Sequence, residues 1–353
     1  MLKRHHVFVF LVVSVLVFFL GGCHGEKKGA LGLSNDLPST IGIGTQPTGG
    51  HTYVVGTGLA KVISDLSPMR VIVQPYAGSI AFIPLIETGE LLLALQTGND
   101  VGWAYMGEAG YAKPYKNVRV LLRGHDIPTI PLIVREDSGI KKIADLRGKR
   151  VAGEYGSNFS VLALVTAGLE SGGLTWDDVN IVPVPDPNSA IRALQEGRVD
   201  AAFGGTPTGA SNIEVNAATS LHVLNFGDLP PEQADNPPAE LVEILQKHQP
   251  SAYIFLQEPS GIVKEDVTII SYPFWLIASS KLSVDAAYEI TKLIYENDEE
   301  IQLQGGFLEQ WKKETMFDPA PHAPFHEGAV RFWKEKGLWN AEAEENQKKL
   351  LER

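Results

Sequence analysis

The sequence predicts an α/β protein of two lobes, each a mostly parallel sheet flanked by helices. Three observations carry that expectation. From Ile41 onward, short apolar runs alternate with amphipathic segments of helical period, the order that builds largely parallel sheets. Two strand-to-helix loops share a composition rich in Gly and hydroxyls: Gly44-Thr-Gln-Pro-Thr-Gly-Gly-His-Thr-Tyr53 and Val151-Ala-Gly-Glu-Tyr-Gly-Ser-Asn-Phe-Ser160. Finally, Leu95-Gln-Thr-Gly98 followed by Asp100 is echoed by Leu194-Gln-Glu-Gly197 followed by Asp200, which reads twice as a helix closing on a left-handed glycine before an apolar strand.

The chain starts with Lys3 and Arg4, an apolar run from Val7 to Leu20 interrupted only by Ser14, and then Gly21-Gly22-Cys23. The run is too short to cross about 30 Å of hydrocarbon comfortably, and its order is that of a signal peptide. Leu20-Gly-Gly-Cys23 resembles a bacterial lipobox, which implies cleavage before Cys23, a lipid on it and attachment to a membrane. An ordinary secretory signal or an uncleaved anchor also fits, and each of these exports the protein. Cys23 is the sole cysteine, so no internal disulfide forms and core packing carries the fold. Loss of residues 1–22 removes Lys3 and Arg4 and no acid, shifting the net charge from −12 to about −14. Nucleic acid is therefore excluded as an expected partner. An anionic ligand is not, because helix N-termini bind anions inside acidic proteins.

Residues 23–38 read as a tether. Beyond them, strands are expected at Thr40–Gly44, Arg70–Gln74, Val101–Tyr105, Val118–Arg123, Ile130–Val134, Arg150–Gly153, Asn180–Val184, Ala201–Gly204 and Leu221–Phe226. Helices are expected at Thr52–Ser64, Ser79–Thr88, Phe159–Glu170, Asn188–Glu196, Ala239–His248 and Val284–Asn297. The first lobe is assigned residues 39–128 and 256–353, and the second 129–255.

The first glycine loop fails both phosphate fingerprints. Gly42 and Gly44 suit a dinucleotide loop, but Pro47 takes the third glycine's place. Gly44 and Gly49 have Walker spacing, yet Gly50 replaces the lysine that would reach the phosphates and His51 replaces the hydroxyl. What is left is a helix start with free backbone amides at Gly49 and Gly50 and hydroxyls at Thr45, Thr48 and Thr52, a setting that suits a carboxylate as well as a phosphate. Thr48 serves equally as a plain helix cap. In the second loop, Ser157, Asn158 and Ser160 either cap a helix or reach a ligand, and the two loops would face each other across a cleft.

These residues resemble the TAXI-type substrate-binding proteins of TRAP transporters. The hallmark is a strand followed by Gly-Thr/Ser-x-x-Thr-Gly-Gly-x-Tyr-Tyr, matched here by Gly44, Thr45, Thr48, Gly49, Gly50 and Tyr53, with Thr52 in the place of the first tyrosine. The likeness continues through Val73–Ser79, Asp137–Ile140, Asp145–Val151 and Leu194–Asp200, and ends with Pro324-Phe-His-Glu-Gly-Ala329 onward to Trp339. It implies a two-lobed periplasmic binding protein of type II-like form that delivers a small carboxylate, such as glutamate, glutamine or 2-oxoglutarate, to a TRAP permease. By position it implies a pocket of Thr45, Thr48, Gly49, Gly50, Thr52, Tyr53, Gly78 and Ser79 facing Tyr155, Gly156, Ser157, Asn158 and Thr206. Gln46, Pro47, Glu154, Tyr155 and an apparent insertion at Gly89–Thr97 depart from the pattern.

Other candidates are weaker. His322 and His326 have i,i+4 spacing, but Pro321 and Pro324 interrupt any helix there, so no metal site is expected. Arg135 either reaches a ligand carboxylate or sits at the surface beside Glu136 and Asp137. Trp103, Tyr105, Tyr272, Phe274 and Trp275 read as core, with one or two at strand ends flooring a cleft. No nucleophile elbow, His-Glu-x-x-His pair or spare cysteine occurs, so the expectation is a receptor without cofactor rather than an enzyme. A receptor for an ABC transporter or a sensor kinase is the alternative, and an exported enzyme a more distant one.

Overall fold

The structure, a computed structural model, describes residues 37–353 except Ser157. The signal peptide at 1–22, Cys23, most of the tether, and Ser157 lie outside the described residues.

The chain runs β1 (Thr40–Thr45), α1 (His51–Leu66), β2 (Arg70–Pro75), α2 (Ser79–Thr88), β3 (Leu93–Thr97), α3 (Gly98–Met106) and β4 (Val118–Thr129). Then follow β5 (Ile133–Arg135), β6 (Arg150–Gly153), α4 (Phe159–Ser171), β7 (Asn180–Pro183), α5 (Pro187–Gln195), β8 (Ala201–Ala202), α6 (Ala210–Ala218) and β9 (Leu221–Val223). It closes with α7 (Ala239–His248), β10 (Tyr253–Gln257), β11 (Val267–Ser279), α8 (Val284–Glu296), α9 (Asp298–Gln302), α10 (Glu327–Glu335) and α11 (Ala341–Leu351).

Two sheets result. The first has the order β10-β11-β3-β1-β2 with β4 on the other edge of β11, and the second has the order β7-β6-β8-β5-β9. Both are more mixed than expected: β1 runs parallel to β2 and β3, but β11 is antiparallel to β3, β4 and β10, and β5 is antiparallel to β8 and β9. The chain leaves the first sheet after Thr129 and returns to it at Tyr253, so β11 closes the sheet from the far end of the sequence.

All thirteen residues of β11 are buried, which makes it the spine of the first sheet. Such a strand reads as a continuous apolar run with no alternation, and sequence reasoning took its aromatics for core with one or two of them flooring a cleft. Pro273, a residue that cannot donate to a ladder, sits where the register with β4 shifts between Pro273 and Trp275. Fully buried Trp275, Trp311 and Trp333 anchor this half of the molecule, each large apolar side chain contributing about 1.5–3 kcal/mol by burial.

One stretch reverses its expected structure. Leu93–Thr97 is a strand, and Val101–Tyr105 lies in helix α3 rather than in a strand. Thr97 caps α3, its hydroxyl accepting from the Asp100 amide at 3.4 Å, so Gly98 opens a helix instead of closing one. The second copy of the motif behaves as expected: α5 ends at Gln195, Gly197 has φ +69°, and β8 follows Asp200. Short apolar runs of this length carry no period that separates helix from strand, so the two copies are alike in letters and opposite in structure.

Candidate functional site: a cleft between the two sheets

A cleft of about 760 Å³ opens at the carboxyl ends of β1, β3, β6, β7 and β8, the edge at which open α/β sheets place their ligands. The first sheet contributes the loop after β1, the start of α1, Thr97, the end of β4 and the middle of β11. From the second come the loops after β6, β7 and β8 and the first residues of α6.

Four helices begin at or beside this cleft, and they differ in how their first amides are satisfied. Helix α1 is capped by Gly50, which has no side chain to offer, and Gly49, Gly50, His51 and Thr52 all line the cleft. Helix α6 is capped by Gly209, again without a side-chain bond, and Gly209, Ala210, Ser211 and Asn212 line the cleft. The Gly50 amide is not free as expected, since it donates to the Pro47 carbonyl at 3.0 Å, and Gly209 donates likewise to the Thr206 carbonyl at 3.0 Å. The first amides within each helix, from His51 and Ala210 onward, have no intrahelical acceptor and carry the positive end of the helix dipole. By contrast, the Asn158 side chain accepts from Val161 at the start of α4. Helix α5 begins with Pro187, which has no N–H, and the Asp186 carboxylate accepts from the Ser189 amide at 3.0 Å and its hydroxyl at 2.8 Å.

The expected residues divide accordingly. Gly49, Gly50, Thr52, Tyr155, Gly156, Asn158 and Thr206 do line the cleft. Thr45 does not, since it is wholly buried and donates to the Gln46 carbonyl at 3.0 Å. Thr48 is exposed and Tyr53 half-buried, both outside the cleft. Thr52 turns inward, its hydroxyl oxygen accepting from the Gln46 amide at 2.8 Å. Gly78 and Ser79 are buried behind the wall, and the Ser79 hydroxyl points to Asp100 at 3.4 Å. Tyr155 reaches the cleft yet is a structural residue: its ring is fully buried and its hydroxyl oxygen accepts from the Phe203 amide at 3.0 Å. Gly156 has φ +57°, and a Cβ there would stand 2.7 Å from the Pro185 carbonyl, so the turn admits only glycine. The other open site candidate, Arg135, pairs with Asp137 at 2.7 Å and lies outside the cleft. His326 caps α10 through Nδ1, which accepts from the Gly328 amide at 3.1 Å, and its Nε2 lies 3.0 Å from the Leu282 carbonyl oxygen.

Most of the remaining site residues carry no signal in the sequence. Arg192, on α5, is the one cationic side chain that lines the cleft among the described residues. It is exposed, and its guanidinium has no hydrogen bond or ion pair with another described residue. Tyr272 and Phe274 of β11 and Ile127 of β4 supply apolar surface from the first sheet, and Val161, Ile191 and Phe203 from the second. Tyr272 and Phe274 are two of the five aromatics from which one or two cleft-floor residues are expected; spacing gives no warning of the others.

Two buried titratable clusters support the wall. His51 Nε2 and His125 Nε2 meet at 3.0 Å, so one ring donates and the other accepts. Burial, then the neighbouring His125, holds His51 well below the usual histidine range, and burial pushes His125 down to about 4. Both rings are thus neutral at pH 7. Behind Thr97, the carboxylate of Asp100 is surrounded by the hydroxyls of Tyr111 at 3.2 Å and of Ser79 and Thr97 at 3.4 Å each. Burial raises this acid to about 6 against the lowering effect of those donors.

The chain matches the NMT1-like family over residues 43–337. It belongs to that family. Among solved structures it is similar to PhnD1 from Prochlorococcus marinus in complex with methylphosphonate, at 12% identity, covering 85% of this chain and 99% of that one with a TM-score of 0.51. It is also similar to the alkanesulfonate-binding protein SsuA from Xanthomonas axonopodis pv. citri, at 16% identity over 88% and 84% of the two chains with a TM-score of 0.46. A TctC solute-binding protein from Polaromonas matches at 14% identity over 89% and 94%, with a TM-score of 0.45. At 12% identity the likeness to PhnD1 is one of fold: two α/β sheets with flanking helices.

Proposed function

We propose that the protein is an extracytoplasmic solute receptor, not an enzyme, that captures a small organic anion in the cleft and presents it to a membrane permease. The observation that carries this reading is the pair of uncapped helix starts, α1 from one sheet and α6 from the other, on one cleft with the unpaired Arg192. An anion there accepts from amides that nothing in the helices satisfies, and it links the two halves so that binding favours a closed arrangement. Family membership and fold support a receptor of this kind. The likeness of Gly44–Tyr53 and Pro324–Ala329 to TAXI receptors supports a TRAP-type permease as the partner, with a lipid on Cys23 as the membrane attachment.

A thermal-shift screen of carboxylates, keto acids and amino acids tests the reading: at least one acid should raise the melting temperature strongly. No stabiliser across the library, or turnover of a stabiliser, would overturn it. A TRAP-type permease gene beside this one would support the proposed partner, and an ATP-hydrolysing transporter gene in its place would overturn that assignment.

A further inference from the structure

The charges in the cleft narrow the class of anion, an inference that rests on the receptor reading above. Among the described residues the lining holds one guanidinium, Arg192, and one carboxylate, Asp186, whose two oxygens already accept from the Ser189 amide and hydroxyl. No other acid or lysine lines it. A dicarboxylate would therefore bring a second negative charge with no second cation to meet it, and an α-amino acid would bring an ammonium whose one possible partner, Asp186, already holds Ser189 with both oxygens. One acid head is what the lining accommodates.

A second observation concerns what lies beside that head. Asn212, the third residue of α6, is 1% exposed and lines the cleft. Its Nδ2 donates to the carbonyls of Gly204 and Thr206, the latter at 2.8 Å, which sets the orientation of the amide. The Oδ1 acceptor is left buried and without a partner among the described residues. A buried acceptor costs free energy until a donor reaches it. Since Asn212 sits on the same first turn as the open amides, the missing donor belongs within a bond or two of the anionic head, as the hydroxyl of a 2-hydroxy acid does.

The remaining lining is apolar. Phe274, Tyr272 and Ile127 stand on one side and Phe203, Ile191 and Val161 on the other, surface that a polar C4 or C5 acid leaves unused and that a ring would cover.

We infer that the cleft selects a 2-hydroxy monocarboxylate with an apolar ring. Its carboxylate meets the starts of α1 and α6 with Arg192, its hydroxyl donates to Asn212 Oδ1, and its ring lies against Phe274, Tyr272 and Phe203.

Calorimetric titration of the purified full chain with 3-phenyllactate, 3-phenylpropionate, lactate, phenylalanine, glutamate and succinate tests this. The expected order places 3-phenyllactate first, at least tenfold tighter than lactate through the ring and about fivefold tighter than 3-phenylpropionate through the hydroxyl. The variant Arg192→Gln, at an exposed position, should weaken both ring-bearing hydroxy and non-hydroxy acids by a similar factor while leaving the ratio between them unchanged. Tightest binding by glutamate, succinate or phenylalanine would overturn the inference and leave the anion receptor standing. Equal affinity for 3-phenyllactate and 3-phenylpropionate would remove the role of Asn212. Binding of none of these acids, together with a null thermal-shift screen, would sink both readings.

Discussion

The loop after β1 and the loop after β6 look alike as letters and do opposite work. The first ends on Gly50 and leaves the start of α1 open to the cleft. The second closes on itself, with Tyr155 buried beneath the Phe203 amide and Asn158 capping α4. The partner of the first loop is instead the start of α6, which Gly209 opens in the same manner. A helix start is available to a ligand only when its own chain leaves the amides unanswered, so the residue at the cap position decides the role more than the loop's glycine and hydroxyl content does.

The strongest way to break this comparison is Tyr155→Ala. If the second loop is a structural plug, removing a fully buried ring and its bond to Phe203 should cost roughly 3–5 kcal/mol in urea denaturation. Unchanged stability with lost ligand binding would make Tyr155 a ligand contact instead.

Next in size is Asp100→Asn, which probes the acid that holds the Ser79 and Thr97 hydroxyls behind the wall. Burial raises the Asp100 carboxyl from 3.8 to about 6. The folded chain therefore retains a proton that the unfolded chain releases, and the stabilisation from this group is complete below 3.8 and lost as pH rises through 6. Relative to the parent, the Asn variant should gain on the order of 2–3 kcal/mol between about pH 4 and about pH 7, measured by denaturation at each pH. His51 and His125 act in the opposite sense, since burial depresses both: their contribution is present above 6.5 and lost as pH falls toward about 4. The difference between variant and parent cancels them. A flat difference across that range would mean that Asp100 is charged in the folded state.

The open start of α6 can be closed without disturbing the helix. Ala210 is its first residue, a position proline tolerates, and Gly209 at φ −58° and ψ 135° suits a residue before proline. Ala210→Pro deletes one cleft-facing N–H and should weaken the stabilising acid about tenfold, the cost of roughly one charge-assisted hydrogen bond, with the melting temperature of the free protein unchanged. Undiminished affinity would remove α6 from the site. The smallest effect is expected from Asn158→Ala, about 1 kcal/mol of stability for a lost cap with affinity preserved. A larger fall in affinity than in stability would return the second loop to the binding role the sequence suggested.

Legibility followed locality. Helices α2 and α7 match their expected bounds, and β1, β2, β6 and α4 do so within a residue or two, since apolar period and turn residues lie within each segment. The reading failed at Leu93–Thr97 and at β11, where apolar runs buried on both faces show no period. Within the site, Gly49, Gly50, Thr52 and Thr206 were reached through motif position, whereas Arg192 and Asn212 were not reached and Tyr272 and Phe274 only as two of five aromatics expected to supply one or two cleft-floor residues. Those four enter from α5, α6 and the returning β11, and no short motif contains them.

By itself the sequence determined the α/β character, the rejection of nucleotide motifs at Pro47 and Gly50, and a helix start at Gly50 with no capping side chain. Those are properties of neighbouring residues, settled by backbone freedom and local hydrogen bonding. Only the tertiary structure decided which helix starts face the cleft, that Ser79 serves Asp100 rather than a ligand, and that His51 meets His125 across 74 positions of chain. Whether a buried polar group is satisfied depends on what long-range packing brings beside it, and spacing along the chain carries no record of that.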